Sequence, residues 1–394
     1  MREQHNTSTP TGQSVTLEDI AQQVGASRAT VSRALQNSPL LKAETIARIQ
    51  AVAAEMGYNP GRFHLARRLV ARRSGRRVLN SQIALLFPTH FYEAHYFNAI
   101  FTGLMDQITP AGFSVVITLM PDLRVDHFPF QLPPNITRGE VDGIIMIAGN
   151  PGGYEEFVHT HLRQYIDERT VPLVALIAPA AGNAAVVQTD DEAGGYAAAR
   201  HLLELGHRHL LFLHDGIGHD SYRRRRDGTL RALKEHAGVN TSLQHFLSLE
   251  TTAIPVLTQN TLAEQNTTTP DEHPLVQLLR AESRYTGLLA QNDFMARRYW
   301  YLLRNAGWRI PEDFSLIGYD DTDPIPDDTG TKNLLTSVRL PLVEVGRHAA
   351  DILLALIKDE EVPDTRIMLP TQLMVRQTTG PCKDEGEGIR RSGC

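Results

Sequence analysis

The sequence has two cysteines in 394 residues, Cys382 and Cys394, both in its polar C-terminal stretch. They cannot staple a core and fall short of a four-ligand zinc site, which fits a reducing compartment. No apolar run approaches the roughly 20 residues that span a bilayer, so no membrane is expected as a partner. Met1 to Gln13 is polar and has no apolar h-region, and the expectation is a cytoplasmic protein. No Ser-His-Asp order, phosphate-cradling glycine loop or paired-carboxylate site comes with supporting context. Accordingly no catalytic residue, metal or cofactor is expected. The pair Asp320-Asp321 closes an apolar strand and reads as a ligand contact rather than a catalytic dyad. His201, His207, His209, His214 and His219 span a helix, a turn and a strand, and should not converge on one ion.

What remains is a chain with 42% apolar and 21% charged residues, long enough for two or three domains. The net charge of −6 argues against nucleic acid until its distribution is considered. Residues 1–80 carry 12 Lys/Arg against 5 Asp/Glu, a net +7. The remainder carries 27 basic against 40 acidic residues, a net −13. A basic head on an acidic body is the footprint of a module that meets phosphate.

Within the head, Thr16 to Gly25 reads as a short helix capped by Thr16, with Asp19 in its first turn and Leu17, Ile20, Ala21 and Val24 on one face. Gly25 supplies a tight turn. Ser27 then caps a second helix, Arg28 to Leu35, whose Val31, Ala34 and Leu35 pack inward and leave Arg28, Ala29, Ser32 and Arg33 outside. Such a pair places its second helix in the major groove, where Arg suits the guanine edge and Ala admits close approach or a thymine methyl. A third helix carries the stripe Ile46, Ile49, Val52, Ala53 and Met56, and Gly57 stops it. Gly61 to Arg77 then holds seven arginines and no acidic residue. That segment is weakly helical alone and expected to order on phosphate, with Leu69 as a minor-groove wedge; the alternative is a solvated basic linker.

From Ser81 the texture alternates between strands and helices. Strands are predicted at Ile83–Phe87, Ser114–Leu119, Gly143–Ile147, Pro172–Ile177, Leu210–Leu213, Thr286–Ala290 and Phe314–Ile317. Helical stretches lie between them, for example Phe97–Ile108, Glu192–Leu205, Gly228–His236 and Phe294–Asn305. This alternation predicts parallel sheets, and about 300 residues is too many for one, so two lobes with a cleft are expected. Asn292, Asp293, Tyr319, Asp320 and Asp321 cluster at strand carboxyl ends, where ligands bind, and suit hydroxyl-rich or amine-bearing small molecules.

The head Val15-Thr-Leu-Glu-Asp-Ile-Ala-Gln-Gln-Val-Gly-Ala-Ser-Arg-Ala-Thr-Val-Ser-Arg-Ala-Leu35 resembles that of the LacI/GalR family of transcription regulators. So do Gly57-Tyr-Asn-Pro60, His201-Leu-Leu-Glu-Leu-Gly-His-Arg208, Gln291-Asn-Asp293, Ile310 to Asp321, Leu335-Thr-Ser-Val-Arg-Leu-Pro341 and Leu369-Pro-Thr-Gln-Leu373, in the family's order. The resemblance implies an α/β, two-lobed body like the type I periplasmic binding proteins, behind an all-α helix-turn-helix domain. The expected division is an arm at 1–14, the helix-turn-helix at 15–61, a hinge helix and linker at 62–81, the body at 82–380 and a tail at 381–394. Lobe 1 is expected at about 82–188 and 334–359, and lobe 2 at about 189–333 and 360–380, with crossovers near 189, 334 and 360.

By the same resemblance the protein is a homodimeric repressor of double-stranded operator DNA, controlled by a small-molecule effector. Its expected DNA contacts are Thr16, Ser27, Arg28, Ala29, Thr30, Ser32, Arg33 and the hinge leucine Leu69. Its expected effector contacts are Phe97, Arg225, Asn292 and Asp320. The sequence departs from the family at Lys42, where a helix-capping Ser or Asn is usual, and at Ile177, where an acidic effector contact is common. A solute-binding protein or sugar-processing enzyme with the same body fold is the alternative; the basic head speaks against it.

Overall fold

The computed structural model describes residues 15, 17–35, 38, 40–56, 58, 79–88, 94–120, 132–147, 161–163, 171–177, 184–214, 220–236, 246–250 and 270–382. It divides into two units, 1–80 and 81–394.

In the first unit, helices α1 (Leu17–Val24), α2 (Arg28–Leu35) and α3 (Ala43–Glu55) enclose a small core of Ile20, Ala21, Val31, Ala34, Ile49 and Ala53. Gly25 turns the chain between α1 and α2 at φ +63, a conformation open to glycine without cost. Ser27 Oγ accepts from the Thr30 backbone N at 3.1 Å and so caps α2. Arg48 donates to the Val24 carbonyl and Gln50 to the Ala34 carbonyl, tying α3 to the ends of both partners. Lys42 precedes α3 without any side-chain cap.

The second unit holds β1 (Gln82–Pro88), α4 (Ala94–Ile108), β2 (Ser114–Met120), the single turn α5 (Pro134–Thr137), β3 (Gly143–Ile147), β4 (Leu173–Leu176) and β5 (Ala185–Thr189). It continues with α6 (Asp191–Glu204), β6 (Leu210–His214), α7 (Asp220–His236), β7 (Phe246–Glu250), α8 (Pro274–Ala281), β8 (Gly287–Ala290), α9 (Asp293–Asn305) and β9 (Ser315–Asp320). The last elements are β10 (Thr336–Arg339), α10 (Leu342–Ile357), β11 (Arg366–Leu369) and β12 (Gln372–Met374). Two six-stranded sheets result, ordered β11-β5-β4-β3-β1-β2 and β12-β10-β9-β8-β6-β7. Pairing is parallel except between β10 and β12. Gly143–Ile147 and Leu173–Leu176 are buried at every position, as strands covered on both faces must be.

Two of the three crossings between sheets differ from the sequence expectation, and the one near 189 agrees with it. The three fall between Thr189 and Asp191, between Arg339 and Leu342, and between Leu369 and Gln372. Residues 334–339 therefore belong with lobe 2, where β10 pairs with β9, and 366–369 with lobe 1, where β11 pairs with β5. The expected crossovers near 334 and 360 were placed too early because β10 and β11 are four residues long and carry polar residues. Likewise α7 begins at Asp220 rather than Gly228, because its first turns are arginine-rich and lack an apolar stripe.

Helices α6 and α7 pack at close range through glycine. A Cβ on Gly195 would lie 2.0 Å from the Arg225 carbonyl, and one on Gly228 2.0 Å from the Glu192 carbonyl. Backbone cannot yield as a side chain does. Gly228→Ala gains about 1 kcal/mol of helix propensity but overpacks the crossing by about 1–3 kcal/mol. With a backbone carbonyl only 2.0 Å from the added Cβ, the overpacking falls at the upper end of that range, and the expected outcome is a net loss of up to about 2 kcal/mol, read as a lowered urea midpoint. An unchanged or raised midpoint would show that the helices separate freely.

Candidate functional site

The first candidate surface is the outer side of α2. Ser27, Arg28, Ala29 and Arg33 are exposed, while Thr30 and Ser32 are half-buried. Thr30 Oγ1 lies 2.8 Å from Ser27 Oγ, so these two hydroxyls are arranged together at the helix start. Val31 and Ala34 hold the opposite face in the core at 0% exposure, which fixes the rotation of α2 and presents Arg28 and Arg33 to solvent. Thr16 and Leu69 lie outside the described residues.

The second candidate lies where the chain crosses between the sheets. Arg225, on α7, is 3% exposed and centres a charged network. Its Nε donates to Asp191 Oδ1 at 2.9 Å, one Nη to Asp320 Oδ1 at 3.0 Å, and the other to the Gln291 carbonyl. The guanidinium stacks on the Tyr319 ring, 3.7 Å from its centroid, and Tyr222 lies 5.3 Å away. Burial alone would lower the Arg225 pKa, but Asp320 and Asp191 hold it well above its ordinary value. The Tyr319 hydroxyl donates to the Asp191 carbonyl at 3.2 Å, and burial raises its pKa well above the usual range.

Asp320 and Asp321 both adopt positive φ, at +98 and +59. For residues with a Cβ this backbone stores strain, and it sends the two carboxylates to different partners. Asp321 receives Arg339 Nη2 at 2.7 Å and Arg376 Nη1 at 2.8 Å, which occupies both its oxygens. Arg339 ends β10 and Arg376 follows β12, so Asp321 ties together strands that flank two crossings. A cavity of about 470 Å³ opens here, lined by Asp320, Asp321, Arg339, Pro341, Glu344 and Gln372 among others.

Of the four expected effector contacts, Asp320 lines this cavity and Arg225 lies directly behind it. Asn292 is 2% exposed, and its Oδ1 accepts from the Met295 backbone N at 2.9 Å, capping α9. Phe97 is half-buried on α4 and packs against Phe87 at 4.8 Å between centroids. Neither Asn292 nor Phe97 lines the cavity. Ile177 follows β4 at φ +53, buried.

Sequence reasoning missed Asp191, the second carboxylate on Arg225. The signal was available: Asp190-Asp191 follows the apolar run Ala185-Val-Val, a strand too short to be recognised alone. It also missed the role of Asp293. This carboxylate is wholly buried, accepts from Ser337 Oγ at 2.6 Å and from the Thr322 backbone N at 2.9 Å, and is pushed by burial up to about 8. The register that sets Ser337 beside Gly318 makes the space: a Cβ on Gly318 would meet Asp293 Oδ1 at 2.1 Å.

Two of the clustered histidines serve other ends, and His219 lies outside the described residues. His207 bonds Thr286 Oγ1 at 2.8 Å and Ser315 Oγ at 2.9 Å, and approaches the Gly380 carbonyl at 3.1 Å. His201 bonds Thr379 Oγ1 at 3.0 Å, and both rings are pushed below their ordinary pKa by burial. Together they pin the C-terminal segment. Among the described residues no His/Cys/Asp/Glu group could hold a metal ion. No helix among them is long and apolar enough to cross a membrane.

Residues 16–61 match the family described as bacterial regulatory proteins, lacI family, and residues 199–379 match a periplasmic binding protein-like domain. The head is thus a lacI-family domain, and the body a periplasmic binding protein-like one. Among the chain's relatives is the probable HTH-type transcriptional repressor ExuR of Bacillus subtilis (strain 168). The two are 25% identical over 366 residues, covering 92% of this chain and 98% of that protein. The fold matches a LacI family regulator from Enterococcus faecium with bound ribose, at TM-score 0.59 and 24% identity over 77% of this chain and 100% of that one. It also matches the lac repressor dimer bound to operator and the anti-inducer ONPF, at TM-score 0.59 and 20% identity over 93% of this chain and 100% of that one.

Proposed function

We propose that this chain is a LacI-family transcriptional repressor that binds operator DNA as a homodimer, with an affinity set by a small carbohydrate-like effector held at the crossings of its body. It is read as a binding protein, not an enzyme. The observation that carries this reading is the exposed row Arg28, Ala29 and Arg33 on a helix whose rotation is fixed by a buried opposite face. A helix of this kind reads base edges when it enters the major groove, with Ser27 and its neighbouring amides on phosphate. For the dimer, the edge strand β2 leaves Ile117 52% and Leu119 47% exposed, an apolar rim suited to a second copy. The structure of the lac repressor, solved as a dimer on operator, supports the same arrangement by likeness of fold. For the effector, the cavity beside Asp320 and Arg225 offers directional hydrogen bonding of the sort hydroxyl groups use.

One experiment tests the DNA reading. Duplexes selected from a random pool by the wild-type chain are titrated across salt and against single base-pair changes. Affinity should fall steeply with salt, since neutralised phosphates release counterions. Arg33→Ala should relax specificity at one base pair per half-site, losing about 1–3 kcal/mol of discrimination there. Equal weakening on every sequence would make Arg33 a phosphate contact. No salt-sensitive duplex binding at all would sink the repressor reading.

A further inference from the structure

We infer that Asp191 is a specificity-determining residue that makes the effector site select uncharged, hydroxyl-rich ligands over acidic or phosphorylated ones. This rests on the reading of the cavity beside Asp320 as the effector site. A lone buried guanidinium facing a cavity would recruit carboxylates and phosphates, for which its planar fork is well matched. Here the fork is already engaged on two sides by carboxylates, Asp191 on Nε and Asp320 on Nη2, both less than 5% exposed. The three groups together carry a net −1.

Asp191 is fixed in that role. It is fully buried at the first turn of α6, its Oδ2 accepts from Thr189 Oγ1 at 3.1 Å, and Arg224 approaches it at 3.5 Å while also pairing with Asp220 at 3.1 Å. The second arginine is therefore shared with a further carboxylate rather than turned toward a ligand. On the cavity side, Arg339 and Arg376 both pair with Asp321, and of the charged groups that line the cavity three are carboxylates, Asp320, Asp321 and Glu344, against the one arginine Arg339. An anionic ligand reaching Arg225 must displace Asp320 and meets Asp191 behind it. A hydroxyl has no such conflict: it donates to Asp320 and leaves both ion pairs intact.

The test is thermal stabilisation of the full chain by matched sets: ribose, glucose, galactose and cellobiose, each beside its aldonic or uronic acid and its phosphate ester. The expected result is that a neutral sugar raises the melting temperature and its acidic counterparts do so less or not at all. An acid or phosphate ester that stabilises more than its neutral parent would overturn the inference while leaving the effector site in place. If no member of any set shifts the melting temperature, the carbohydrate reading fails and the inference with it. Asp191→Asn keeps an oxygen for Arg225 and turns its amide NH2 to the Thr189 hydroxyl, which then accepts, while removing the charge. It should narrow the preference for neutral over anionic ligand by about tenfold or more, since removal of one charge a few ångströms away in a partly buried site has that size. An unchanged ratio, with the melting temperature of the unliganded variant near that of the wild type, would assign the selectivity elsewhere.

Discussion

Arg225→Met should destabilise the body by about 3–5 kcal/mol, the cost of leaving buried charge without its counterion. Met is shorter than Arg but close to it in volume, so little of this loss comes from volume. What is lost is the one cation between Asp191 and Asp320, together with the donor to the Gln291 carbonyl and the stacking partner of Tyr319. Arg225→Lys should fall between, because an ammonium keeps the charge but cannot reach three acceptors in one plane. The decisive comparison is Arg225→Met combined with Asp191→Asn and Asp320→Asn. If uncompensated charge is the cause, the triple variant regains most of the lost stability in urea unfolding. Were it as unstable as Arg225→Met alone, packing rather than electrostatics would account for the loss.

A second large effect should appear in the pH dependence of stability, through Asp293. Its pKa is raised by burial from 3.8 to about 8 in the folded protein. Below pH 4 the group is protonated in both states and contributes nothing unfavourable. Between about pH 4 and 8 the unfolded chain loses this proton and the folded one keeps it, so the native state binds more protons and stability falls as pH rises. Above about pH 8 both states are ionised and the penalty is complete. A shift of about four pH units corresponds to on the order of 5 kcal/mol.

Asp293→Asn removes that slope, but the amide cannot accept from both Ser337 Oγ and the Thr322 N–H, a pH-independent loss of about 1 kcal/mol. The two stability curves should therefore cross near about pH 4.5, where the growing penalty on the wild type reaches about 1 kcal/mol: the variant is weaker below that pH and increasingly stronger from there to pH 8. Other carboxylates tilt both curves alike, so the difference between them is the quantity to measure. Parallel curves from pH 5 to 8 would mean that Asp293 is ionised throughout.

Much of the head was legible because its signals are local. The cap Ser27, the turn glycine Gly25 and the three-to-four spacing of Ile20, Val31 and Ala34 each act within a few residues, and the second helix runs from Arg28 to Leu35 as expected. Long buried strands such as Gly143–Ile147 were legible for a similar reason, since an unbroken apolar run has few other uses. Strands β5, β7, β10, β11 and β12 were not. They are short, mixed in polarity and stabilised by neighbours far away in sequence, as when Thr336 meets Ile317 or Arg366 meets Val186. Helix α10 was missed although nine of its residues are buried, because its apolar positions continue almost around the helix and blur the amphipathic stripe.

By itself, the sequence determined which residues face outward on the second helix, which runs are buried, and that a basic head precedes an acidic two-sheet body. These follow from periodicity, capping and charge, all of which act over a few residues or by simple addition. Only the tertiary structure decided where the chain crosses between sheets and which charges meet there. Asp191, Arg225 and Asp320 lie 34 and 95 residues apart and become neighbours through the packing of α6 on α7 and the end of β9. Their interaction grows strong only when folding removes water from around all three at once.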